Sequence, residues 1–181
     1  MSRHDQTFFL ICRGLEQLVQ TKRLGDISVV ELCQISGVPR STFYSHFCDI
    51  YAVPQWLWDY MMNNTLYQIG NTKTWDQGHR LMFQNLLDHK LLFTKIYWEN
   101  DNNSILEYGY RGGYNAVKAN VTKRKNHQWT ASELVELDYA IKALASLTTK
   151  WGRDGMVVPV ETMVYIFNTH VPDFLKKLCD T

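Results

Sequence analysis

Charge of either sign is nearly absent as a bias. The 181 residues carry 19 Lys and Arg against 18 Asp and Glu, a formal net charge of +1, which excludes a molecule that seeks polyanions with its whole surface. Low-complexity tracts are missing, so any partner must be recognised locally. The four cysteines, at 12, 33, 48 and 179, contain no C-x-x-C pair, which argues against a disulfide framework or a cysteine-histidine metal site. Cys12 and Cys33 fall at apolar helix positions and read as reduced thiols, with Cys48 the more accessible. No apolar run approaches the ~20 residues of a membrane helix. Charges are spread through the amino-terminal segment, where a secretory leader would be apolar, so the expected address is the cytoplasm, with no membrane partner. G-x-S-x-G, H-E-x-x-H, a phosphate loop and a dinucleotide glycine fingerprint are all missing, and the six histidines are scattered. An enzyme is therefore not expected, nor is a cofactor or a metal.

What is present is material for a core: 45% of residues are hydrophobic and 13% aromatic. The most informative stretch is SVVELCQISGVPRSTFYSHFCDI, residues 28–50. Ser28 and Glu31 have the spacing of a capping box, which starts a helix at Val29, and Val29, Leu32 and Cys33 give it one apolar side. Gly37 makes a positive φ cheap, so the chain can turn into Val38 and Pro39 and begin a second helix. Phe43 and Phe47, at i and i+4, form the inner face of that helix. Its other face carries Arg40, Ser41, Thr42, Tyr44, Ser45 and His46, a set of donors, hydroxyls and rings suited to base edges and phosphates in a major groove. On pattern alone a polar helical hairpin fits equally well.

The run ISGVPRSTFYSHF, followed by Asp49 opening a long helix, resembles the DNA-binding domain of the TetR (tetracycline-repressor-like) regulators over about fifty residues. The matching positions are Ser36, Gly37, Val38, Thr42, Phe43, Tyr44, His46 and Phe47. The resemblance implies an all-α protein of about nine helices, with a three-helix helix-turn-helix domain over 1–49 and a helical effector-binding and dimerisation domain over 50–181. It also implies that Arg40, Ser41, Thr42 and Ser45 face bases and that Tyr44 and His46 hold phosphates, with Thr42 and Tyr44 able to do either. Ser28, at the start of the helix pair, is counted with them. Two positions depart from the family: Pro39 stands where many relatives carry serine, and Ile50 where a lysine usually sits near a phosphate. Up to Phe47 five basic residues (Arg3, Arg13, Lys22, Arg23, Arg40) face four acidic ones (Asp5, Glu16, Asp26, Glu31), so the electrostatic footprint is faint. The implied function is a ligand-responsive repressor that binds double-stranded DNA as a homodimer on a palindromic operator. The alternative is a TetR-like interaction module or co-activator with weak or no DNA binding of its own.

Elsewhere the pattern is helical to the end. Phe8, Ile11, Cys12, Leu15, Leu18 and Val19 describe a first helix ending near Lys22 to Gly25, with its cations at the negative end of the dipole. After Asp49 a further helix is expected, starting at Ile50 with an irregular first turn or near Val53, because Pro54 cannot donate. Thr74 with Gln77 and Thr130 with Glu133 are further capping boxes, and the Asn-rich stretch 100–103 should break the chain before a helix from Ser104 to about Lys125. Gly109, Gly112 and Gly113 inside that helix suggest close approach or a bend. Leu134, Leu137, Ile141, Leu144, Thr148 and Trp151 form a seam for another helix, continued after Pro159 by Met163 and Phe167, until Pro172 kinks or splits the segment. In TetR-type proteins the last two long helices pair with their copies in a second chain, so these seam residues are the expected dimer contacts. The tail pattern Trp151, Gly152, Gly155 and Pro159 resembles a subgroup of the family found in Gram-positive bacteria. For an unknown small-molecule effector, Trp56, Tyr60, Phe83, Tyr97 and Tyr110 are the candidate pocket rings, suited to a flat or cationic compound, with His79, His89 and Glu99 as further polar groups.

Overall fold

Three helices start on the capping boxes that the sequence announces. Ser28 with Glu31, Thr74 with Gln77 and Thr130 with Glu133 each form both halves of the box, satisfying donors that the first turn would otherwise leave free. The computed structural model describes residues 3–97 and 105–180, with side chains from residue 6. Its elements are α1 (Arg3–Leu18), α2 (Val29–Ser36), α3 (Arg40–Tyr44), α4 (Ala52–Met62), α5 (Trp75–Asp88), α6 (Lys90–Ile96), α7 (Ile105–Lys125), α8 (Ala131–Arg153), α9 (Val160–Thr169) and α10 (Asp173–Asp180). The described residues contain no strand. One helix more than the expected nine arises because Pro172 splits the tail, leaving α10 as a separate two-turn helix. Trp98, Glu99, the Asn-rich break and the start at Ser104 lie outside the described residues. No described helix is long and apolar enough to cross a membrane.

Local details correct one expectation and decide between the alternatives of another. α1 stops at Leu18, where the backbone tightens into i to i+3 bonds from Gln20 to Gln17 and from Thr21 to Leu18. Lys22 therefore lies beyond its dipole and pairs instead with Glu31 of α2. At Pro54 the second alternative, a start near Val53, agrees with the structure. α4 begins at Ala52, so Pro54 is its third residue, where an amide has no intrahelical acceptor, and the Asp49 carboxylate caps the start by accepting from the amides of Tyr51 (2.8 Å) and Ala52 (3.0 Å).

One apolar core runs from Phe8 to Cys179. At its amino-terminal end α1 packs on α2, α4 and α6, and the Phe8 ring stacks on Trp56 of α4 at 4.4 Å while meeting Phe47 edge-on at 5.1 Å. At the other end Trp75 joins three elements: its indole donates to the Phe167 carbonyl of α9 (3.0 Å) and its amide to Asp180 of α10 (2.8 Å).

The glycines of α7 allow close approach. A methyl on Gly109 would lie 2.8 Å from the Trp58 ring, and one on Gly112 would lie 2.4 Å from the Tyr67 hydroxyl, so α7 runs unbroken against those two aromatics.

The seam of α8 and α9 is largely covered within the single chain. Leu137, Ile141, Leu144, Thr148, Trp151, Met163 and Phe167 are all buried in this single chain, and Leu134 is half-buried. The apolar groups left uncovered on these helices are others: Val135, Tyr139 (71% exposed), Leu147 and Tyr165 (67%).

Candidate nucleic-acid interface and internal cavity

The helix pair is built as its residues dictate. Gly37 ends α2 with φ of 68°, and its amide and that of Val38 both return to the Cys33 carbonyl. That reversal sets α3 against α2, with Phe43 and Leu32 wholly buried, Leu32 toward Gly14 of α1, and Phe47 and Val38 buried as well. Burial of Phe43 and Phe47 decides which side of α3 faces out. Arg40, Ser41, Tyr44 (51% exposed) and Ser45 are exposed, and Thr42 and His46 are half-buried.

The outward groups are not equally available. The Arg40 guanidinium lies 6.0 Å from the Tyr44 ring centroid, a loose cation-π contact that leaves its donors open. Ser45 donates to the Thr42 carbonyl at 2.7 Å and keeps its lone pairs. The His46 ring leans on Phe8 at 4.9 Å, which ties α3 to α1. Ser28 is spent locally, because its hydroxyl both accepts from the Glu31 amide and donates to the Glu31 carboxylate. Lys22 holds the Glu31 carboxyl below its ordinary range, so one cation of this thinly charged region is already matched. Ile50 is buried in the core, so the position where a lysine was expected contributes packing and no charge.

A partly open cavity lies between α4, α5, α7, α8 and α9. Its volume is about 40 Å³. That space suits a few waters or one small organic molecule. Of the five candidate rings only Tyr97 lines it. Phe83 is core, edge-on to Trp151 at 5.2 Å and to Phe167 at 4.9 Å. Trp56 is stacked between Phe8 and Tyr60, and Tyr60 itself borders a surface groove. Tyr110 donates to Asp138 and joins α7 to α8 from outside the cavity.

The walls include His79, Thr148 and Thr149, and no described wall residue carries a formal charge at neutral pH. His79 is 2% exposed; its Nδ1–H donates to the Trp75 carbonyl at 2.8 Å, and burial pushes its pKa down to about 4. The ring is therefore neutral at pH 7, with a lone pair on Nε2. The Tyr97 hydroxyl is buried without a hydrogen-bond partner, and desolvation raises its pKa. The Tyr97 ring presses on Gly152, where a methyl would lie 2.1 Å from it, and its carbonyl accepts from Arg153. His89, by contrast, pairs with Glu16 at 2.8 Å and takes no part in the cavity.

Of the further polar groups expected at the pocket His79 lines the cavity, and Thr148, a residue of the expected seam, lies in the same wall. Among the described residues no group of His, Cys, Asp and Glu is arranged to hold a metal.

No family model and no curated protein matches the chain. Among solved structures, the dihydroxyacetone kinase operon activator DhaS is similar over 97% of this chain and 98% of its own, with a TM-score of 0.63 and 16% identity. At that identity the likeness is one of fold.

Proposed function

We propose that the protein is a TetR-type transcriptional regulator that acts in the cytoplasm as a homodimer, with α3 of each copy in a major groove of a palindromic operator. The observation that carries this reading is the outward polar face of α3, from Arg40 to Ser45, held on a glycine-terminated helix pair. A fold shared along its whole length with an operon activator supports it. Arg40, Ser41, Thr42 and Ser45 read bases, while Tyr44 and His46 hold phosphates. A small-molecule effector in the cavity shifts the spacing between the two heads, which requires that it bind one spacing better than the other. The second copy packs on the uncovered Val135, Tyr139, Leu147 and Tyr165. Repression is the direction that the family resemblance suggests.

A second reading is favoured by the matched Lys22, the buried Ile50 and the thin charge of the head: a co-activator that contacts another protein and has no operator of its own. Binding to the promoter region beside its own gene, followed across a salt series, separates the two. A specific complex whose affinity falls linearly in log salt supports the regulator, since the slope counts neutralised phosphates. Absence of any salt-sensitive specific complex overturns it in favour of the co-activator.

A further inference from the structure

The geometry points to a ligand class for the cavity: we infer that it takes a small uncharged organic molecule, about one ring in size, whose hydroxyl donates to His79 Nε2. This deepens the effector role proposed above and rests on it, but its chemistry is carried by the walls alone. Ile105, Ile141, Leu144 and Phe167 make most of the lining apolar, so the body of the ligand must be apolar too, while the Trp58 indole N–H, buried without a partner, is a donor in the same wall. The described walls hold no carboxylate and no cation. The nearby Asp59 carboxylate is already taken, accepting from the hydroxyls of Tyr67 and Tyr108, so a cationic effector, which the aromatic content of the sequence had suggested, finds no counter-charge here.

The polar groups that remain have defined roles. His79 uses Nδ1–H on the Trp75 carbonyl, and none of its hydrogen bonds involves Nε2. Because Trp75 offers only a carbonyl, Nδ1 must carry the proton and Nε2 must accept. The Tyr97 hydroxyl lies unpartnered in the same wall, and Thr148 donates to the Leu144 carbonyl at 2.9 Å, which leaves its oxygen able only to accept. His79 is 2% exposed and its one hydrogen bond is made through Nδ1, so a ligand hydroxyl in the cavity is a donor that Nε2 can accept from. A purely apolar ligand leaves Nε2 as it was.

Phenol, toluene and benzylammonium are matched in size and differ in this one respect. Their binding to the full-length protein is measured by calorimetry at pH 7.5, with no DNA present. A dry apolar cavity favours toluene, because the phenol hydroxyl is desolvated without return. The expected result is phenol bound at least as tightly as toluene and at least ~10-fold tighter than benzylammonium. In His79→Phe, phenol should weaken ~10-fold with toluene unchanged. Should that variant fail to fold, the imidazole nitrogen signals of the wild type decide: phenol must shift Nε2 and toluene must not. Toluene outcompeting phenol, benzylammonium matching it, or phenol bound with Nε2 unmoved each overturns the inference. Because no readout involves DNA, a failed operator test leaves this result standing, and a failed binding test leaves the DNA reading standing.

Discussion

Gly112 and Gly113 are neighbours on α7, and replacing each by alanine should move stability in opposite directions. Either change adds helix propensity worth about 1 kcal/mol. At Gly113 the new methyl meets Leu66 at 3.6 Å and Ile141 at 3.7 Å, ordinary contacts, so Gly113→Ala keeps most of that gain. At Gly112 the methyl lies 2.4 Å from the Tyr67 hydroxyl and 2.9 Å from the ring carbon that bears it. Tyr67 cannot step aside freely, because its hydroxyl donates to Asp59 at 2.7 Å and its carbonyl accepts from Asn120 at 2.9 Å. Overpacking costs about 1–3 kcal/mol, and disturbing a hydrogen bond to a carboxylate adds about 1.5 kcal/mol, which leaves Gly112→Ala about 2 kcal/mol less stable than wild type. The variants should then differ by about 3 kcal/mol, roughly 10 °C in Tm for a chain of this length. Urea midpoints at one fixed protein concentration test this, since any dimerisation adds stability by mass action. Midpoints displaced in the same direction would refute the packing argument, because propensity alone treats the two positions alike.

His79 makes stability pH-dependent with a defined sign. Its folded pKa, about 4, lies below the unfolded ~6.5, so the unfolded chain binds the proton first and stability falls as pH drops from 6.5 to 4, by about 3 kcal/mol in all. Urea midpoints at pH 7.5 and 4.5 should show this loss in wild type and a smaller one in His79→Phe; equal losses contradict it. Arg40→Ala should relax sequence preference at one operator position, and Tyr44→Phe should weaken binding evenly across sequences, both read by competition with base-substituted duplexes. An unchanged preference for Arg40→Ala rejects its role in base reading, and a sequence-selective loss for Tyr44→Phe moves that residue to the bases. Tyr139→Glu combined with Tyr165→Glu should sediment as a monomer with wild-type helicity where wild type is a dimer, and a variant dimer would place the interface elsewhere.

Local rules made much of this protein legible from its residues. The capping boxes at Ser28, Thr74 and Thr130 each satisfy the backbone within four residues, and Gly37 needs only its own φ, so these elements could be written down without any tertiary knowledge. The outward face of α3 follows in the same way from Phe43 and Phe47 at i and i+4. Only the tertiary structure decided what covers each apolar stripe. Leu137, Ile141 and Leu144 repeat at helical spacing whether a second chain or their own fold buries them, and here their own fold does. The cavity was likewise beyond periodicity, because residues from five helices meet there, and His79 and Tyr97 acquire their chemistry from burial and missing partners that no spacing records. Spacing along a helix states which residues share a face, while long-range packing alone states what that face meets.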